Sequence, residues 1–122
     1  MDQTIPVKQG VVFKEFNVYT LEFLNALMVQ AKRFGHNYTI TSANDGKHKT
    51  SSYHYRNTAW DVRLRDLSPA HWYVLQAALK VVLAGYFDII IEGIGTENLH
   101  LHVEADLSKV ASLMLMDHAE GA

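Results

Sequence analysis

Apolar residues recur along this chain with two periods, and the switches between them mark out its elements. Leu21, Leu24, Leu27, Met28 and Ala31 repeat at helical spacing. With Thr20 as N-cap and Gly35 just past the end, they predict a helix over about 20–34. Tyr38 to Ala43, rich in β-branched Thr39, Ile40 and Thr41, reads as a strand. Asn44-Asp45-Gly46 is a turn, and the polar stretch 47–57 reads as loop. Ala59 to Leu64 alternates: Trp60, Val62 and Leu64 point one way, Ala59, Asp61 and Arg63 the other. Ser68-Pro69 opens a second helix that runs to about Ala84 and closes at Gly85. Phe87 to Glu92 is an apolar strand. In the next strand Leu99, Leu101 and Val103 alternate with His100, His102 and Glu104. Residues 107–117 predict a last helix, with Leu107, Val110, Leu113 and Met114 inward. Residues 1–16 look extended and irregular. Without a regular βαβ rhythm, the class is α+β: a small, mostly antiparallel sheet with helices on one face.

Length and composition narrow the function classes. A chain of 122 residues, 48% of them apolar, suits one domain with one core. The net charge of −2 gives no footprint for nucleic acid. No stretch approaches the ~20 apolar residues of a membrane span. Met1-Asp2-Gln3-Thr4 lacks the basic-then-apolar pattern of a signal peptide. The expectation is a protein of the producing cell's cytoplasm, or of a virion, that reaches any outside target by other means. Cysteine is absent, so thiolate metal sites are excluded and a metal must use His, Asp or Glu.

Strand alternation directs attention to the seven histidines. It sets His100 and His102 on one face, with Leu99, Leu101 and Val103 behind them. It sets Asp61 and Arg63 on the open face of their own strand. If the two strands are neighbours, Asp61, His100 and His102 share a cleft, and His54 enters from the preceding loop. His54, Asp61 and His102 then supply three protein ligands to one zinc ion, leaving a fourth position for water, as in catalytic sites. His100 is the favoured general base. In the other reading His100 is the ligand and Glu97, three residues before it, is the base. Arg63 offers a cation for the carboxylate of a chain end. Trp60 opposes Asp61 and reads as core; one of Trp72 and Tyr73 reads as packed on the sheet. No function is assigned to His36, His71 or His118.

Ser52-Tyr53-His54-Tyr55-Arg56-Asn57-Thr58-Ala59-Trp60-Asp61 resembles the S-x-H-x-x-G-x-A-x-D motif of zinc D-Ala-D-Ala carboxypeptidases. This superfamily also holds lysostaphin-type endopeptidases and the hedgehog signalling domain. Thr41 to His48 and His100-Leu101-His102-Val103-Glu104 resemble the short phage and bacterial members. The resemblance covers about residues 38–104. It implies a hedgehog/DD-peptidase-like fold, one Zn2+ on His54, Asp61 and His102, and a base on His100. It implies peptidoglycan stem peptides as substrate, cut next to a D-amino acid by a carboxypeptidase or an endopeptidase. It also brings Ser52 and His48 close to the substrate. The motif glycine is Asn57 here, and Asn tolerates the positive φ that Gly supplies, so a retained turn is expected.

Two competitors stand beside the peptidase. A zinc-binding recognition module of the same fold would keep the metal and lose the base. A metal-free domain with structural histidines would hold no metal at all. Glu104, on the histidine face, is the expected hydrogen-bond partner of a ligand.

Overall fold

The computed structural model describes residues 2–13, 16–43 and 58–110. Its elements run α1 (Val18–Phe34), β1 (Ile40–Ser42), β2 (Ala59–Arg63), α2 (Pro69–Val82), β3 (Phe87–Glu92) and β4 (His100–Ala105). The four strands form one sheet in the order β1-β2-β4-β3, with every neighbouring pair antiparallel. This is the expected α+β class. Among the described residues, an isolated parallel bridge between Val7 and Ile40 extends the sheet. No helix among the described residues is long and apolar enough to cross a membrane.

The first helix starts earlier than Thr20. Asn17 is the N-cap, its Oδ1 accepting from the backbone N–H of Tyr19 at 3.0 Å and of Thr20 at 3.1 Å. Thr20 closes a capping box at N3, its hydroxyl accepting from Asn17 N–H. The apolar stripe is also rotated from the one expected. Thr20, Phe23, Leu27 and Ala31 face the core, while Leu21 is half exposed. Gly35 ends the helix at φ 62°, as its position predicts.

The second helix begins as its sequence predicts, with Ser68 Oγ accepting His71 N–H and Pro69 at N1. It stops at Val82 rather than Ala84. Leu83 leaves the helix in an extended conformation and is itself buried, so burying this side chain ends the helix before Gly85. A helical turn over 107–110 is capped by Asp106, whose Oδ1 accepts Ser108 N–H at 3.0 Å. The rest of the expected last helix lies outside the described residues.

One face of the sheet carries the core. Trp60, Val62, Leu101, Val103, Phe87 and Ile89 pack there with Phe23 and Leu27 of α1 and Leu75 and Leu79 of α2. Phe23 and Trp60 stack at 4.7 Å with their rings 5° from parallel. Trp72 covers the edge of this core and donates from Nε1 to the carbonyls of Leu64 and Leu67, whereas Tyr73 stays exposed. His71 has a structural role: its Nε2 and the buried Tyr38 hydroxyl, whose pKa burial pushes up to about 12, share a hydrogen bond of 2.6 Å.

The stacked pair gives a direct test of this core. Trp60→Ala should cost about 3–5 kcal/mol of stability in urea unfolding. The double variant with Phe23→Ala should cost less than the two single losses added together, because the rings touch. Strict additivity would show that they do not stabilise each other.

Candidate metal centre

Pairing decides which side chains meet on the open face. In β2–β4 the partners are Ala59 with Glu104, Asp61 with His102 and Arg63 with His100. In β3–β4 they are Asp88 with Glu104, Ile90 with His102 and Glu92 with His100. Side chains alternate along each strand, so these residues share the face away from the helices. Asp61, His100 and His102 each direct one donor atom inward, and these three atoms lie within 4.8 Å of one another.

The ring contacts are specific. His102 Nδ1 lies 2.9 Å from Asp61 Oδ1, and its Nε2 lies 3.6 Å from Glu104 Oε1. His100 Nδ1 lies 2.6 Å from the Asn98 carbonyl oxygen. A carbonyl can only accept, so that nitrogen carries the proton, and in the neutral ring Nε2 keeps its lone pair. This Nε2 lies 3.7 Å from Asp61 Oδ1 and 3.1 Å from Glu92 Oε1. A lone pair held there serves equally as a metal ligand or as a proton acceptor.

Counting protons tests whether a cation fits. Two neutral imidazoles bring two N–H groups. Among the described residues they face four acceptors: Asn98 O, Asp61, Glu92 and Glu104. This surround of carbonyl and carboxylate oxygens suits a cation. The side chains of Asp61, His100 and His102 are each less than one fifth exposed, so water screens these charges little. Imidazole nitrogens with a carboxylate oxygen form a donor set suited to zinc and its transition-metal neighbours and poorly suited to calcium or magnesium.

The protonation energetics agree. Burial by itself pushes the His102 imidazole down. The Asp61 hydrogen bond and the charges of Asp61, Glu104 and Glu92 outweigh it, and the pKa rises. Burial pushes the Glu104 carboxyl up, against the pull of His102.

Asp61, His100 and His102, three of the residues singled out in the sequence, thus come together, with Glu104 beside His102 as expected. Glu97 stands apart from the donor cluster, on the exposed turn before β4, where it lines a small pocket with His100 and Arg63. His54, Ser52, His48 and Asn57 lie outside the described residues. Glu92, Asn98 and Gly93 were missed by the motif. Alternation along β3 already sets Glu92 on the same face as Asp88; only the β3–β4 register sets it opposite His100. The role of Asn98 belongs to its backbone and leaves no trace in its side chain.

Gly93 explains how that carbonyl reaches the ring. At φ 75°, a Cβ on Gly93 would sit 2.3 Å from Asn98 O. Thr96 holds the turn closed, donating from its hydroxyl to Gly93 O at 2.7 Å and accepting Asn98 N–H at 3.1 Å.

No family model matches the chain, and neither does any curated protein or solved structure.

Two outcomes follow from this geometry. Gly93→Ala should displace the Asn98 carbonyl and release the His100 ring. The His100 ring signals, read by NMR, should shift or broaden as the Nδ1–H bond is lost, while a cooperative unfolding transition persists. Unchanged His100 signals would show that Asn98 does not set the ring. The second outcome concerns pH. The folded-state pKa of His102 lies above its unfolded value near ~6.5. Its contribution to metal-free stability is therefore full below that value and is lost as pH rises through the folded pKa. Metal must displace the same proton, so zinc affinity should rise across the same window by up to about tenfold per pH unit. Denaturation of the metal-free protein and zinc titration at a series of pH values should show these opposite slopes.

Proposed function

We propose that this chain is a zinc-dependent peptidase acting on peptidoglycan stem peptides, in a hedgehog/DD-peptidase-like arrangement, and that it hydrolyses a bond next to a D-amino acid. The observation that carries this reading is the acceptor-rich trio Asp61, His100 and His102 on one sheet face. It draws on the same two chain segments that carry the motif resemblance. In this reading Asp61 and His102 hold the metal together with His54 of the motif. A zinc ion held there would supply Lewis acidity to a peptide carbonyl and a water of lowered pKa.

The protein's own groups handle the proton. His100 is tethered through Nδ1–H to the Asn98 carbonyl, so its Nε2 takes the proton of the attacking water. The resulting imidazolium lies between Asn98 O and Glu92 Oε1, both acceptors, and it can return a proton to the leaving amine. Glu97 is the alternative acceptor if His100 is the ligand. Glu104, 3.6 Å from His102 Nε2, can hold the proton on that nitrogen, which leaves Nδ1 beside Asp61 Oδ1 for the metal and raises the ligand's basicity.

The test is mass spectrometry of purified muropeptides incubated with zinc-loaded protein. Loss of one alanine mass, or a split stem or cross-bridge, should be abolished by His102→Ala and slowed ~10²–10⁴-fold by His100→Ala. Bound zinc without cleavage of any muropeptide would overturn the enzyme in favour of a recognition module. Absence of bound zinc would overturn both.

A further inference from the structure

Each helix carries a second stripe, on the side away from the core. In α2 it is Ala70, Val74, Ala77 and Val81, all exposed and recurring at helical spacing, with Val81 83% exposed. Leu75 and Leu79, on the opposite side of the helix, are buried in the core. In α1 the same spacing runs through Val18, Glu22, Asn25 and Val29. Lys80 is the one charged residue exposed on α2. A helix that is apolar on every side is normally covered. Valine is also a weaker helix former than Lys, Glu or Ala, because its branched Cβ loses χ1 freedom. At Val18, Val29, Val74, Val81 and Val82 that cost brings little burial within the chain.

The two helices run antiparallel. Phe34, at the end of α1, meets the His71 ring at the start of α2 with 5.6 Å between ring centroids. Glu22, near the start of α1, accepts the hydroxyl of Tyr86 just past α2. Leu27 and Ala78 therefore lie at the same height along the pair. A shallow groove of about 310 Å³ runs between the helices, with Ala26, Val29, Val82 and Leu83 in its walls.

We infer that two copies of this chain associate through this face, helix layer on helix layer, about a two-fold axis that crosses the pair at that height. The axis reverses each helix against its own copy. In α2 it sets Val74 opposite Val81 of the second copy, and Ala77 opposite Ala78. In α1 it sets Asn25 opposite Val29, and Glu22 opposite Lys32. The face thus carries its own complements, because the acid Glu22 and the base Lys32 are equally spaced on either side of Leu27. The chain's net charge of −2 repels a second copy little. The product is four helices between two sheets, each helix packed on its copy through one seam. Both donor clusters stay on the outward sheet faces, and the inference does not depend on the peptidase reading. Helices of 17 and 14 residues side by side present a face of roughly 20 Å by 20–25 Å, small for a specific interface. The dimer is therefore weak and reversible, with a dissociation constant on the order of micromolar.

Sedimentation equilibrium of the full chain over about 1–500 μM, in zinc and again in chelator, tests this. The average mass should rise from that of one chain toward that of two in both. Val81→Asp should weaken association at least ~100-fold, because each dimer then buries two unpaired carboxylates. Lys32→Glu sets acid against Glu22 twice and should weaken it ~5–10-fold. Adding Glu22→Gln, which keeps an acceptor for Tyr86, should recover most of that loss. The chain has no cysteine, so an introduced one reports position. Under mild oxidation Ala77→Cys should cross-link to its copy, while Ala70→Cys, ~20 Å from its own copy along the helix, should not. Urea unfolding checks that each variant folds. A chain that stays monomeric throughout would overturn the inference, as would a dimer seen only with zinc. So would a dimer that tolerates Val81→Asp, or one that cross-links through Ala70→Cys and not through Ala77→Cys.

Discussion

The pairing of β2 with β4 is the constraint on which the rest of this molecule depends. Asp61 and His102 are 41 residues apart in the chain, yet their side chains touch because their backbones are direct register partners. The same register sets Trp60 against Val103 on the other face, where α1 and α2 cover them. Core and site are two sides of one alignment. A slip of a single residue would turn Asp61 toward the helices and Trp60 toward water. The stacking of Trp60 on Phe23 therefore holds more than the core, because it penalises every register that would disassemble the donor cluster.

Electrostatics then gives the open face its character. A sheet face with Asp61, Glu92 and Glu104 around two imidazoles gathers negative charge at the donor cluster. A few positions along, Arg63 and Arg65 reverse the sign. The face thus changes from a region that favours a cation to one that favours an anion, and His100 is at the boundary.

His100 also depends on a turn that contributes no side chain to the cluster. Its tautomer is set by Asn98 O, that oxygen's approach is permitted by Gly93, and the loop is held by Thr96. A bare backbone at Gly93 is thus linked to the lone pair that would bind metal or accept a proton. This is the usual way an imidazole is aimed, through the hydrogen bond at its other nitrogen.

Much of this was legible in the residues themselves. Period-2 alternation separates Asp61, His100 and His102 from Trp60, Leu101 and Val103 with no knowledge of the fold, because a strand's pleat is local geometry. Ser68-Pro69 and Gly35 announced helix boundaries for equally local reasons. The α1 stripe was misjudged by a step, since Leu21 and Phe23 are both apolar and only packing against Trp60 chooses between them. Tertiary structure alone decided that β4 lies between β2 and β3, that Glu92 faces His100, and that Lys8 joins Arg63 and Arg65 at one pocket. Local sequence sets which way a side chain points; which distant side chains it meets is set by strand order and register, which only the packed core determines.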